Sequence, residues 1–270
     1  MFFGKKKCEH CESEYDVVLT TCPACGQEDT NYESTKLPKQ VSWMPWWKQL
    51  VVFLIGSLGL SIASSIASIP FAMVHGNQTT TSDMLFINLI GYLIAFGAMA
   101  ALIWPHYKEL FKSFKNWLPF VLGIAGCAAL YFFSIIYGTF IQAVAPKTTD
   151  NANQTLAVQM IKGYPILGIL LIGIMGPVCE ELTYRVGMFS FGLRMKKWVA
   201  YIAVTIVFAF IHFDFGSFGD TNALINELLN LPSYAFAGLV LCFLYDRCGL
   251  SARLTAHILN NVISCIFILL

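Results

Sequence analysis

Long apolar stretches alternate with short polar ones over most of the chain, and this pattern predicts a helical protein that crosses a membrane several times. We predict seven spans, at residues 50–74, 84–104, 118–142, 164–189, 198–213, 232–246 and 252–270. A bilayer-spanning helix needs roughly 20 apolar residues, which each of the first four segments provides. The segments 198–213 and 232–246 are shorter. The mixed residues 214–230 between them are interpreted as a surface or re-entrant piece.

Composition supports this class. Of the 270 residues, 57% are hydrophobic and only 12% are charged, whereas soluble domains contain about 25% charged residues. The net charge of +1 gives no electrostatic reason to expect nucleic acid as a partner. The first 15 residues have no long apolar core after their lysines, so we do not interpret them as a signal peptide. We therefore predict an all-α polytopic protein of the cell membrane, with the lipid bilayer as its surroundings.

The distribution of basic residues predicts how the chain is oriented. Only Lys147, Lys162 and Arg185 fall outside the N-terminal region and the alternate loops that would share its side of the membrane. By the positive-inside rule, the N-terminus is predicted to be cytoplasmic. Trp43, Trp46 and Trp47 are predicted to form an aromatic anchor where the first span enters the membrane.

Two cysteine pairs precede the spans and predict a metal site. Cys8 and Cys11 form one CxxC knuckle, and Cys22 and Cys25 form the other, with ten residues between the knuckles. Four thiolates at this spacing can surround Zn²⁺ as a tetrahedron. A redox pair, disulfides or a rubredoxin-like iron site are the alternatives, and a reducing cytoplasm disfavours disulfides.

The chain is therefore predicted to have three parts. Residues 1–28 are a cytoplasmic zinc ribbon that a structural zinc ion helps to fold, and residues 29–48 are a linker with the aromatic anchor. Residues 49–270 are the transmembrane helical domain. The ribbon could dock a cytoplasmic protein or present a substrate, or it could be only a small folded cap. The other five cysteines show no ligand spacing and are interpreted as packing residues.

Three polar clusters interrupt the apolar spans in the second half of the chain. The first is Glu180-Glu181 with Arg185, the second is His212 at the end of a span, and the third is His257 with Asn261. Residues four apart share a helix face, so Glu181 and Arg185 can pair, as can His257 and Asn261. Glu180 points about 100° away from Glu181 and is predicted to be unpaired. Ionisable residues within membrane spans are usually functional.

These residue types can hydrolyse a bond without a serine or cysteine nucleophile. A carboxylate and a histidine can take a proton from water, and a histidine and an asparagine can donate hydrogen bonds to an oxyanion. The chain has no GxSG, GxGD or HExxH motif of the other intramembrane proteases.

The ordered motifs Glu180-Glu181-x-x-x-Arg185, Phe208-x-x-x-His212 and His257-x-x-x-Asn261 resemble those of the CAAX protease and bacteriocin-processing (CPBP, or Abi) family. The resemblance covers residues 120–270, which it makes the protease core, and leaves out the zinc ribbon. Many family members have Arg-Gly where this chain has Arg185-Val186-Gly187.

The resemblance implies a role for each residue. Glu180 would be the general base that activates water, assisted by His212, while His257 and Asn261 would form the oxyanion hole. Glu181 and Arg185 would be supporting residues. Glu180, His212 and His257 could also hold a catalytic zinc ion, but the glutamate mechanism is favoured because no two histidines lie one helix turn apart.

The leading hypothesis is therefore an intramembrane endopeptidase that cleaves a peptide or a membrane-tethered protein. The alternatives are a non-catalytic bacteriocin self-immunity or scaffold protein, and a transporter, although the two halves of the chain show no internal repeat. One expectation does not agree with a single shared active site. Straight helices would place His257, only four residues after the presumed interfacial Arg253, at a shallower depth than Glu180 and His212.

Overall fold

The computed structural model describes residues 5–17, 19–29, 44–76 and 78–270. Within them, a small cysteine-rich ribbon precedes a bundle of eight helices. The predicted all-α membrane class with an N-terminal cysteine cluster is confirmed. Trp43 and most of the predicted linker lie outside the described residues.

The ribbon is built on a two-stranded antiparallel sheet. Strand β1 (Lys5–Lys7) pairs with β2 (Glu14–Asp16), with Lys6 opposite Tyr15. Gly26 follows the second knuckle at φ +77°, a left-handed conformation that glycine adopts without strain. Among its described residues, the apolar core consists of Cys8, Tyr15, Leu19 and Cys22. So small a core supplies little folding free energy, which agrees with a need for a bound metal.

In the part of the chain that the structure describes, six helices are long and apolar enough to cross a bilayer, and a seventh apolar helix is shorter. The eight helices are α1 (Trp46–His75), α2 (Thr81–Leu110), α3 (Leu118–Val144), α4 (Ala152–Gly163), α5 (Pro165–Gly192), α6 (Lys197–Phe210), α7 (Thr221–Cys248) and α8 (Leu250–Leu269). Helix α6 is the short apolar helix, and the more polar α4 was not among the predicted spans. Large apolar side chains remain exposed on the outer faces, as lipid-facing residues would. The chain is therefore a multi-pass membrane protein.

The predicted boundaries were wrong at the sixth span. Instead of a short helix at 232–246, α7 has 28 residues. Of the segment 214–230, only residues 215–219 form a separate 3₁₀ turn, and Asp220 caps α7 by accepting hydrogen bonds from the backbone N–H groups of Asn222 and Ala223. The first turns of α7 were missed because they carry polar residues.

Helix α5 is the central helix of the bundle. Half of its most apolar stretch is buried, against 22–28% for the other five long helices. A Cβ at Gly187 would lie 2.7 Å from the backbone nitrogen of Phe53 in α1, so only glycine permits this close approach. Segments 169–175 and 181–189 of α5 have π-helical spacing, which is common near functional sites.

The ribbon contacts the end of α5 through a buried ion pair. Arg194 Nη1 donates to Asp16 Oδ1 and Oδ2, both at 3.1 Å. The same guanidinium donates to Gln49 Oε1 at 2.7 Å and to the carbonyl oxygen of Met44 at 2.8 Å. Asp16 also accepts a hydrogen bond from the backbone N–H of Trp46 at 3.0 Å. Arg194 thus joins the ribbon, the start of α1 and the end of α5.

Candidate active site

Glu181 lies at the centre of the buried polar cluster. Its side chain is fully buried and has three partners from two helices. Arg185 Nη1 lies 3.3 Å from Oε1, and Arg253 Nε lies 3.4 Å from Oε2. His257 Nδ1 lies 2.7 Å from Oε1. The pairing of Glu181 with Arg185 follows the four-residue spacing, while Arg253 was not recognised from the sequence.

Arg253 corrects two expectations. It was counted among interfacial basic residues, but its side chain is fully buried against Glu181 and the ring of Tyr245, 3.9 Å from the ring centroid. Arg194 was counted in the same way and is also buried. Because Arg253 lies inside the protein and α8 begins at Leu250, it does not mark the membrane surface. The hydrogen bond between His257 and Glu181 shows that these two residues share a depth.

Glu180 occupies a different environment from Glu181. Its side chain is 20% exposed, and Oε2 lies 3.7 Å from His257 Nε2, which corrects the expectation that Glu180 has no partner. That distance is too long for a hydrogen bond. Within the described part of the chain, the buried Oε2 atom accepts no hydrogen bond. The lone pairs of this atom are therefore not engaged by another described group of the protein.

The protonation of His257 follows from its contact with Glu181. An ionised carboxylate can only accept hydrogen bonds, so Nδ1 carries the proton that is shared with Glu181. The neutral ring then presents an acceptor at Nε2, facing Glu180. If the ring gains a second proton, Nε2 becomes a donor. A role as an oxyanion donor therefore requires the charged ring.

His212 lies just beyond the end of α6. Its Nδ1 lies 2.8 Å from the carbonyl oxygen of Phe208, to which it donates, so Nε2 is the acceptor of the neutral ring. The ring stacks on Tyr234 of α7 with centroids 4.3 Å apart and an interplanar angle of 13°. The rings of His212 and His257 both pack against the ring of Phe208. Three of the four predicted catalytic residues, Glu180, His212 and His257, therefore lie in one part of the bundle.

Asn261 compensates for a proline in α5. In π-helical spacing, the carbonyl of Ile172 would accept from the N–H of residue 177, which is a proline and has none. Asn261 Nδ2 donates to this carbonyl at 3.1 Å. The backbone stays helical through Pro177. One amide hydrogen of Asn261 is thus engaged, and the second remains for a substrate.

Phe208 packs against the guanidinium of Arg185 and against the rings of both histidines. The centre of that guanidinium lies 4.2 Å from the centroid of the Phe208 ring, a cation–π contact. The same ring lies 5.1 Å from that of His212 and 6.0 Å from that of His257. The phenylalanine of the second motif therefore contacts a residue from each of the three motifs.

The four ribbon cysteines form the second candidate site. Their sulfur atoms all lie within 4.8 Å of one another, and the cysteines are not joined by disulfides. The Cys8–Cys25 and Cys11–Cys22 sulfur distances are 3.6 and 3.7 Å. A tetrahedral site with Zn–S bonds of about 2.3 Å requires sulfur atoms about 3.8 Å apart. The set can therefore bind a metal such as zinc.

The hydroxyl group of Ser13 favours the thiolate form of one of these cysteines. Ser13 Oγ lies 3.2 Å from Cys22 Sγ, and hydrogen bonding from this hydroxyl lowers the pKa of the Cys22 thiol to about 6. The metal-binding form of cysteine is the thiolate. In the described part of the chain, the ribbon cysteines are the one set of at least three His, Cys, Asp or Glu ligands whose donor atoms all lie this close.

Comparison with known proteins finds similarity in the region that contains Glu180, His212 and His257. Residues 162–263 match the model of the family described as Type II CAAX prenyl endopeptidase Rce1-like. All three motifs lie within this match, which confirms the resemblance to the CPBP family. The UPF0177 protein YvdC of Lactococcus lactis subsp. lactis (strain IL1403) is 26% identical over 214 residues, covering 79% of this chain and 74% of YvdC. No solved structure matches.

Proposed function

We propose that the protein is an intramembrane endopeptidase that hydrolyses a peptide bond of a peptide or membrane-tethered protein with water activated by Glu180. The observation that carries the proposal is the contrast between two adjacent carboxylates. Glu181 is neutralised by two arginines and bonded to His257, whereas Glu180 lies 3.7 Å from His257 and has no hydrogen bond to a described residue. The match to the Rce1-like family supports the reaction class.

In the proposed reaction, water is oriented by Glu180 and the acceptor nitrogen of His212. Glu180 takes one proton as the water oxygen forms a bond to the carbonyl carbon of the scissile peptide. The tetrahedral intermediate then collapses, the C–N bond breaks, and the protonated Glu180 returns a proton to the departing amine. The immediate products are a carboxylic acid and an amine, which ionise to a carboxylate and an ammonium group, and Glu180 is regenerated as a carboxylate.

The developing oxyanion would accept hydrogen bonds from Nε2–H of the doubly protonated His257 ring and from the second amide hydrogen of Asn261. Preorganised donors of this kind contribute most when their orientation is fixed before the reaction. Glu181 fixes the His257 ring through Nδ1, and the carbonyl of Ile172 fixes the Asn261 amide. Arg185 and Arg253 act one step further out, by holding Glu181.

A catalytic metal held by Glu180, His212 and His257 is the competing mechanism. It would need three donor atoms that converge on one ion. Among the described residues, these three side chains do not bring their donor atoms within 4.8 Å of one another. The glutamate mechanism needs only two of these side chains, Glu180 and His212, to reach one water molecule, and we therefore propose it over the metal mechanism. Chelators would leave a glutamate-dependent activity unchanged.

The N-terminal domain is proposed to be a zinc ribbon that faces the cytoplasm. Cys8, Cys11, Cys22 and Cys25 would hold the ion and supply folding free energy rather than catalysis. Asp16 of the ribbon contacts Arg194, which follows the end of α5, so the ribbon is in contact with the helix that carries Glu180. A cytoplasmic protein could therefore dock on the ribbon and affect the site.

The proposal is tested by comparing cells that carry the wild-type chain with cells that carry Glu180→Gln at equal expression. Glutamine keeps the shape of the side chain and removes the base. Quantitative mass spectrometry of membrane proteins and secreted peptides should show a precursor that accumulates and a product that disappears in the variant. Glu109→Gln, which changes an exposed carboxylate in the last turn of α2, is the matched control.

A different result would support the non-catalytic alternative. If deletion of the protein has a phenotype that Glu180→Gln fully restores, and no peptide changes, then the protein acts without hydrolysis. That result would contradict the proposed function and favour an immunity or scaffold role.

A further inference from the structure

A cavity of about 330 Å³ lies beside His212, between the N-terminal ends of α4 and α7. Three carboxylates line it: Asp150, Asp214 and Glu227. No lysine, arginine or histidine is among its lining residues. Its size is at the lower end of the range for ligand sites, which suits one side chain better than a whole peptide.

The buried carboxylate at the base of this acidic cavity has no ionic partner among the described residues. Glu227 is 3% exposed, and its oxygens accept hydrogen bonds only from neutral groups. Those donors are the backbone N–H groups of Ala152 and Asp214 and the side-chain amide of Asn151. Buried charges in proteins are normally paired. Asp150 and Asp214 are exposed at the rim and likewise form no ion pair with a described residue.

A second observation points to a ligand. Ser217 lines the same cavity and is 4% exposed, yet its hydroxyl oxygen has no hydrogen-bond partner among the described residues. A buried hydroxyl without a partner costs free energy unless another molecule satisfies it. Ser217 Oγ can accept a hydrogen bond from an ammonium or guanidinium group that also faces the carboxylates.

The acidic cavity is joined directly to the proposed catalytic machinery. Asn151 Nδ2 donates to the carbonyl oxygen of His212 at 3.1 Å and lies 3.4 Å from Glu227 Oε2. Tyr234, which stacks on His212, donates to Asn151 Oδ1 at 3.3 Å. An adjacent cavity of about 600 Å³ shares Asp150, so a peptide with one side chain in the acidic cavity has room for its neighbours.

We infer that the acidic cavity is a specificity subsite that binds a lysine or arginine side chain of the substrate, near the bond that is cleaved. This inference rests on the proposed function and names the class of substrate: apolar peptides that carry a cationic residue. A metal ion fits less well, because the carboxylate oxygens of Asp150, Asp214 and Glu227 do not lie within 4.8 Å of one another. A long side chain can instead reach between them.

Binding can be measured without cleavage, on full-length protein that carries Glu180→Gln and is immobilised in detergent. The probes are two pools of apolar octapeptides with acetylated N-termini. Each peptide of the first pool carries one lysine, and the pool as a whole places that lysine at every position. The second pool is identical except that neutral norleucine replaces the lysine. Mass spectrometry reports how much of each pool is retained. We expect about tenfold greater retention of the lysine pool, which corresponds to about 1.4 kcal/mol.

Variants of the cavity carboxylates test whether the lysine side chain binds in the acidic cavity. Adding Asp214→Asn or Asp150→Asn should bring the ratio of the two pools close to one, while adding Glu109→Gln should leave it unchanged. Asparagine at position 214 keeps the oxygen that accepts from the backbone N–H of Gly216, and thermal unfolding checks the fold. Equal retention of both pools, or a ratio unaffected by both cavity variants, would overturn the inference.

Two further outcomes would also overturn it. One is that norleucine peptides with a free N-terminus are retained as well as acetylated lysine peptides, because the site would then recognise a terminal ammonium. The other is that calcium raises the unfolding temperature in an Asp214-dependent manner while lysine peptides gain nothing. Because no cleavage is measured, failure of the proposed function would leave this binding result intact.

Discussion

Adjacent carboxylates in α5 should respond in opposite ways to the same substitution. Glu181→Gln should destabilise the protein strongly, whereas Glu180→Gln should abolish activity and leave stability nearly unchanged. The structural reason is the difference in their partners. Glu181 balances the charge of two buried arginines and holds His257. Glu180 forms no hydrogen bond with the described residues and approaches His257 only to 3.7 Å.

The magnitude follows from what each substitution leaves behind. Glu181→Gln leaves Arg185 and Arg253 buried without a counter-charge, and breaking one buried pair costs about 3–5 kcal/mol. For a chain of this size, about 2–4 °C of unfolding temperature corresponds to each kcal/mol. The expected decrease is therefore at least about 6 °C. Glu180→Gln breaks no hydrogen bond and should shift the unfolding temperature by less than about 3 °C.

The assay is thermal unfolding of both variants in the same detergent, followed by tryptophan fluorescence, with activity measured on the same preparations. Arg253→Met serves as a second test of the cluster, because it leaves Glu181 with one arginine and should also lower stability. The reasoning would be refuted if Glu181→Gln were as stable as the wild type, or if Glu180→Gln unfolded as early as Glu181→Gln.

Three other predictions concern the supporting structure. Asn261→Ala should lower stability by about 1–3 kcal/mol, because the carbonyl of Ile172 loses its donor; an unchanged unfolding temperature would contradict this. Asp16→Asn should weaken the contact with Arg194, and limited proteolysis should then release the ribbon faster than from the wild type. The lowered pKa of Cys22 favours the folded ribbon fully above the ordinary thiol pKa of 9.0, and this gain is lost as the pH falls to about 6. Because protons compete with a metal ion for thiolate ligands, metal release, followed with a zinc-binding dye, should increase as the pH falls, and pH-independent retention would argue against thiolate ligands.

The helical membrane class could be predicted from sequence because it depends on segment length and hydrophobicity alone. The pairing of Glu181 with Arg185 could also be predicted, since both residues lie on one helix. The same spacing was present in Arg253, His257 and Asn261, each four residues after the last. Arg253 was missed because its position near the start of a span favoured an interfacial interpretation.

The remaining features of the site depend on contacts between helices. The sequence does not show that His257 of α8 bonds to Glu181 of α5, or that Tyr234 stacks on His212. It also does not show π-helical spacing in α5, on which the role of Asn261 depends. The start of α7 was missed because Asn226, Glu227 and Asn230 resemble loop residues; Glu227 instead receives hydrogen bonds from two neighbouring segments.

The most direct test of the account is peptide hydrolysis by the purified protein and its Glu180→Gln variant, with the precursor that accumulates in variant cells as substrate. Mass spectrometry would record the new termini, with and without a metal chelator. The account predicts that the wild type cleaves the precursor at one site. The chelator should remove the ribbon metal without stopping cleavage. The Glu180→Gln variant should unfold at the wild-type temperature and show no cleavage. Cleavage by the folded Glu180→Gln protein would contradict the central role of Glu180.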